Sequence, residues 1–179
     1  MLRGVNVGGH NKIKMDALRA LCESLKFEDP RTYVQSGNVI FRTKEKNVPA
    51  LAKKIQDAIA REVGFRPEVV LRTATEIRKA IGANPFAGRP DIEPGKLLLT
   101  FLTTEPGPDA HTNLSKFKDY PEEIHLTGRE MYIYFPNGAG KTKLPWSSVE
   151  KLLKTTGTAR NWNSVTKMLE IAEELEAAG

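Results

Sequence analysis

Strand and helix periods alternate along this chain in the order strand, helix, strand, strand, helix, strand, and the order recurs in its second half. That order constrains the fold more than any single motif. A strand followed by a crossover helix and then a hairpin can close few sheets without crossing connections. The split βαβ arrangement of the ferredoxin-like plait is the simplest of them. In the first half, "MLRGVNVGG" starts strand-like and runs into glycine, with only Met1 and Leu2 ahead of Arg3. Met15, Leu18, Leu21, Cys22 and Leu25 then recur at helical spacing, with Asp16 in the expected first turn and Pro30 after the helix. "RTYVQSGNVIFRT" reads as a hairpin, because Gln35-Ser36-Gly37-Asn38 has the glycine and asparagine that a tight turn needs. Leu51, Ile55 and Ile59 share one face of the next helix, and "FRPEVVLRT" is a strand that Pro67 confines to an edge or an early position.

"ATEIRKAIGAN" predicts a short helix, and "NPFAGRPDIEPG" reads as a linker. The second half then runs through strand "KLLLTFLT", helix "PDAHTNLSKFKDY", hairpin "EEIHLTGREMYIYF", helix "PWSSVEKLLKTT", short strand "TGTARN" and a final amphipathic helix. The expected fold class is α+β, with two ferredoxin-like halves and antiparallel sheets. The expected divisions are an N-terminal half at 1–73, a helix and linker at 74–95, and a C-terminal half with the terminal helix at 96–179. No close sequence repeat accompanies the repeated order.

The chain has 179 residues, of which 40% are hydrophobic and 27% charged, as in ordinary soluble domains. A net charge of +5 favours anionic partners. The single cysteine, Cys22, permits no internal disulfide and suits a reducing compartment. With no membrane-length apolar run and no signal-peptide pattern, the expected location is the cytoplasm.

"GAGKT", at 138–142, ends like a phosphate-binding P-loop, but the reading fails on two counts. Phe135 stands where the motif's first glycine belongs, and Leu144-Pro145 interrupts the position where its helix should begin. Ser36 lacks the glycines of a nucleophile elbow, and Cys22 lies on an apolar helix face. His10, His111 and His125 are far apart in sequence and have no metal-motif partners, so neither a metal nor a cofactor is expected. RNA-recognition motifs share the plait, but "NVIFRT" lacks their aromatic signature.

The remaining polar loops carry the functional reading. "LRGVNVGGHNKIKM" combines glycines, asparagines and cations ahead of a helix N-terminus, a combination suited to an anion. Arg160 and Asn161 precede the last helix, where Asn161 or Asn163 can cap it. The candidate ligand-binding residues are Arg3, Asn6, Gly8, Gly9, Lys12, Gln35, Ser36, Asn38, Lys141, Lys143, Arg160 and Asn161. Folding is expected to gather them into one polar cleft for a small phosphate-like or nucleotide-like anion. No catalytic residue is assigned. The alternatives are a nucleic-acid-binding module and a protein-interaction scaffold.

The opening Leu-Arg-Gly-Val-Asn-Val-Gly-Gly, the Gln-Ser-Gly-Asn turn, "NPF", "PNGAGKTKL" and "TARNWNSVTKML" together resemble the bacterial domain of unknown function 1697 family along essentially the whole chain. The resemblance implies two ferredoxin-like halves and no established activity. It also implies several more residues ahead of Leu2, so the first strand is expected to be truncated.

Overall fold

A computed structural model describes residues 1–179. The fold is α+β, with six α-helices and two antiparallel sheets of two and four strands. The chain divides into two compact units. Unit 1 comprises Met1–Ile77 with Lys167–Gly179, and unit 2 comprises Arg78–Thr166.

Unit 1 follows the expected order of elements but has a shortened sheet. Helix α1 (Met15–Ser24) leads to β1 (Glu28–Tyr33), which pairs with β2 (Asn38–Arg42). The ladder is irregular between Glu28 and Arg31, where Asp29 takes a φ of 45° and Pro30 supplies no donor. Helix α2 (Val48–Val63) starts on Asn47, whose side chain accepts from the Ala50 amide at 3.0 Å, and stops at Gly64 in the left-handed region. The pairing of the plait's first strand with its last shrinks to one antiparallel bridge, Leu2 to Val69. Backbone bonds from Arg3 N–H to Glu68 O and from Val70 N–H to Met1 O flank it, both at 2.9 Å. Leu18, Ile55 and Ile59 from the two helices and Leu2, Val5 and Val69 from the bridge region form the core.

Unit 2 holds the complete plait. Strands β3 (Leu97–Leu102), β4 (Glu123–Thr127), β5 (Glu130–Tyr134) and β6 (Gly157–Asn161) lie in the order β4-β5-β3-β6, antiparallel throughout. Helices α4 (Ala110–Leu114), continued by a 3₁₀ turn at Ser115–Phe117, and α5 (Trp146–Leu153) fall between the strands as the split βαβ plan requires. They cover the face bearing Leu102, Met131 and Ile133. In the β4–β5 hairpin, Gly128 has φ 57° while Arg129 does not, the pattern of a type II′ turn.

The opposite face is packed by the segment expected from sequence to be a helix and linker. Helix α3 (Ala74–Gly82) opens with a reciprocal capping box. The Thr73 amide donates to Glu76 Oε2, and the Glu76 amide donates to Thr73 Oγ1. The helix brings the Ala80 carbonyl to the buried Tyr132 hydroxyl, which donates to it at 2.7 Å. Phe86 of "NPF" is buried, meeting His125 edge-on with centroids 5.0 Å apart, and the Arg89 guanidinium lies 5.5 Å from its ring. Burial pushes the Tyr132 hydroxyl up to about 12.

The last helix, α6 (Trp162–Ala177), starts in unit 2, and its remainder belongs to unit 1. The sequence reading kept it whole with the C-terminal half. The difference has a local cause: Glu174 pairs with Arg31 at 2.7 Å, and the Leu175 carbonyl accepts from Arg42.

Candidate functional site

The candidate residues fall in both units. Those of unit 1 lie on two loops, 4–13 and 34–37. The first loop is shaped by residues in the left-handed region, which glycine and asparagine tolerate best: Gly4, Asn6, Gly8, Gly9 and Asn11. At its tip the Val7 carbonyl accepts from the His10 amide at 3.0 Å across Gly8 and Gly9, both with positive φ, as in a type I′ turn.

Asn6 ties this loop to its surroundings. Its Nδ2 donates to Ile13 O at 2.9 Å and to Gln35 O at 2.8 Å, and its Oδ1 accepts from the Ile13 amide at 2.9 Å. Asn11 Nδ2 donates to Gly4 O. In the second loop Asn38, 0% exposed, donates to Tyr33 O and Ser36 Oγ, both at 3.0 Å, and so closes the hairpin. Gly37 passes so close to the first loop that a Cβ there would stand 2.6 Å from Val5 and 2.9 Å from Leu2. The Leu2 amide donates to the Gly37 carbonyl.

Sequence reading assigned Asn6 and Asn38 to recognition. In the structure both amide protons of each are engaged by the protein itself. Their position among left-handed glycines was the available signal, since a short amide in such a loop commonly bonds nearby backbone. Arg3 pairs with Glu68 at 3.1 Å. Gln35 is exposed and offers its carbonyl to Asn6. The exposed groups left without a partner are the Gly8 and Gly9 amides and the Lys12 ammonium. Val34, a β-branched residue, is held at φ 52° and is 45% exposed, while Val7 is 66% exposed.

In unit 2, the loop bearing "GAGKT" contains a 3₁₀ turn, Ala139–Lys141, and reaches Pro145 before α5 begins. No helix follows Lys141 in the way a P-loop requires. Lys141 and Lys143 are exposed. Thr142 between them turns inward and donates to Glu122 Oε1 at 2.6 Å. Asn161 caps α6 by accepting from the Asn163 amide at 3.0 Å and donates to Gly95 O. β6 ends at Asn161 beside the start of β3, and β5 ends there too, so Asn161 and the glycine-rich loop leave the sheet at the same end. Arg160, 6% exposed, donates to Thr158 Oγ1 and Ala159 O, and burial pulls its guanidinium down to about 10.

Cys22 is buried, and its thiol is pushed up to about 12 by burial, so it is not poised as a thiolate. Three or more His, Cys, Asp or Glu side chains do not gather anywhere in a metal-holding arrangement. No helix is long and apolar enough to cross a membrane.

Comparison with solved structures finds the conserved bacterial protein SP0830 from Streptococcus pneumoniae, which is 20% identical. The match covers 96% of each chain with a TM-score of 0.66. At that identity the likeness shows a shared fold. Comparison with curated proteins gives no match. A family description, "Protein of unknown function (DUF1697)", matches residues 1–132, which include both unit 1 loops and "NPF" but stop short of the glycine-rich loop and Arg160. The chain belongs to the DUF1697 family.

Proposed function

We propose that this chain binds a small anionic ligand of the phosphate or nucleotide class through the paired loops of unit 1. The observation that carries the reading is the Asn6 brace. One side chain fixes both loops and leaves the amides of Gly8 and Gly9 and the Lys12 ammonium exposed and unpartnered. Successive backbone N–H groups in left-handed or turn conformation form anion-receiving concavities. A fixed loop loses little entropy when a ligand arrives. Arg3, already half-neutralised by Glu68, adds positive potential nearby in sequence. Asn6 and Asn38 act here as scaffolding, and recognition falls to the backbone and to lysine. A reducing, cytoplasmic setting suits the single buried thiol.

The test is thermal unfolding against inorganic phosphate and a nucleotide panel. Binding at a hundredfold excess over Kd stabilises by about 2.7 kcal/mol, a rise of several degrees in Tm. The rise is expected to vanish in Lys12→Met. No rise with any member at millimolar concentration, or an undiminished rise in Lys12→Met, contradicts the proposal.

A protein-interaction role is the second reading, and one observation favours it: Val7 and Val34 are exposed on these same loops. Gel filtration of Val7→Ser against the parent, mixed with a candidate partner, separates the two readings.

A further inference from the structure

We infer that β4 is a pairing edge for a second copy of this chain, which adds its own β4 antiparallel about a two-fold axis at His125. β4 is the edge strand of the unit 2 sheet, and it pairs only with β5. That ladder fixes which way each peptide group points. Gly128 and Arg129 form a two-residue turn, so the flanking Thr127 and Glu130 make a hydrogen-bonded pair. Counting back by twos, His125 and Glu123 also bond across to β5. The N–H and C=O groups of Ile124 and Leu126 therefore point away from the sheet, and nothing else in the protein bonds them.

The equivalent strand of unit 1 is β1, which follows the first helix and pairs on one side only. Its edge is blunted. Pro30 lacks a donor, Asp29 has a φ of 45°, and the ladder slips between Glu28 and Arg31. β4, "EIHLT", has no proline, no lysine and no break in register. An edge without these devices is a template for another strand of matching pattern.

Another β4 matches it in one register. With His125 opposite the partner's His125, Ile124 stands opposite the partner's Leu126, and their outward groups form a hydrogen-bonded pair that the two-fold axis repeats. Every outward group of both strands is then satisfied. Sliding one strand so that Ile124 meets Ile124, or Leu126 meets Leu126, leaves the other outward residue opposite Glu122 or Gly128, outside the strand. The side chains agree with the first register. Ile124 and Leu126 are half-buried on the face under α4, beside Leu114. Pairing sets them across from each other as apolar cross-strand neighbours and takes them out of water. On the other face Glu123, already paired with Arg89, meets the exposed Thr127 of the partner rather than a second carboxylate.

The experiment pairs sedimentation equilibrium with disulfide trapping, both on the intact chain. The parent is expected to show a reversible monomer–dimer equilibrium. Leu126→Pro removes an outward N–H that the β5 ladder does not use, and it is expected to weaken the dimer by roughly tenfold or more. Should that variant fail to fold, the trap decides alone. Residues opposed at a non-hydrogen-bonded position have Cα atoms about 4.5 Å apart, within reach of a disulfide. His125→Cys is therefore expected to link two copies under mild oxidation. Thr127→Cys, whose counterpart lies four residues along the partner strand, is expected not to link. The parent is the control, since its single cysteine, Cys22, is buried. A chain that stays monomeric, an undiminished dimer in Leu126→Pro, no linking in His125→Cys, or equal linking in Thr127→Cys would overturn the inference.

Discussion

The two units solve one topological problem with different bonds. In unit 2 the plait is complete, and three runs of paired residues join its four strands. In unit 1 the same order of elements closes on a two-stranded ladder and a single bridge. Asn6, Asn11 and Asn38 supply there the hydrogen bonds that peptide groups supply in unit 2. A ladder spreads its load over many equivalent groups, whereas an amide brace concentrates it on one side chain. Single polar substitutions should therefore hurt unit 1 more than unit 2.

The largest expected effect is at Gly37. Alanine there combines a positive φ of 79° with contacts of 2.6 Å and 2.9 Å to Val5 and Leu2. Overpacking plus backbone strain is expected to cost about 3 kcal/mol, measured by urea unfolding. Gly157 offers a sharper comparison. Its added Cβ would meet the Phe101 carbonyl oxygen at 2.7 Å, but its φ is ordinary. If Gly157→Ala costs more than Gly37→Ala, unit 2 is the less forgiving unit and the contrast fails.

Next comes Asn6→Ala, which strands the Ile13 amide and two carbonyls at the price of one side chain. A loss of about 2 kcal/mol is expected. Tyr132→Phe is its counterpart in unit 2, removing one buried hydroxyl bond to Ala80 O while the ladder stays intact. About 1 kcal/mol is expected there. Val34→Asn tests the opposite sign. Relief of a β-branched residue at φ 52° should stabilise unit 1 by about 1 kcal/mol.

The smallest effect is one of pH. Hydrogen bonds from Arg89 hold Asp91 and Glu123 below their ordinary values of 3.8 and 4.5. Depressed folded values mean that this stabilisation is fully present above those ordinary values and is lost as pH falls through the lower, folded ones. Arg89→Gln should flatten the acid limb of a stability-versus-pH curve below about pH 4.5 and change little at pH 7. The groups are solvent-screened, so a large loss at neutral pH would mean that Arg89 acts through its packing on Phe86 instead.

Much of this architecture was legible in periodicity. The apolar spacing of Met15 to Leu25 and of Leu51 to Ile59 marks two helices whose Leu18, Cys22, Ile55 and Ile59 enter the core. Lengths of strand were less legible. Nothing in "LRGVNV" says that Leu2 alone bridges to the last strand, because pairing depends on what lies across the sheet. Prolines and glycines at 84–95 read as linker, yet Phe86 is buried, since one aromatic in a turn-rich stretch gives no periodic signal. The polar site was the hardest to read. Type and spacing of residues singled out these loops, but whether an amide turns outward or bonds its own backbone is settled by local geometry that residue type alone does not give.

The brace itself can be tested directly by hydrogen exchange of individual amides in Asn6→Ala. The Ile13 amide, now accepted by Asn6 Oδ1, and the Leu2 amide, now accepted by Gly37 O, are predicted to lose protection. Leu99, central in the unit 2 sheet, is predicted to keep its protection. Unchanged protection at Ile13, or a loss at Leu99 equal to that at Ile13, would contradict the account.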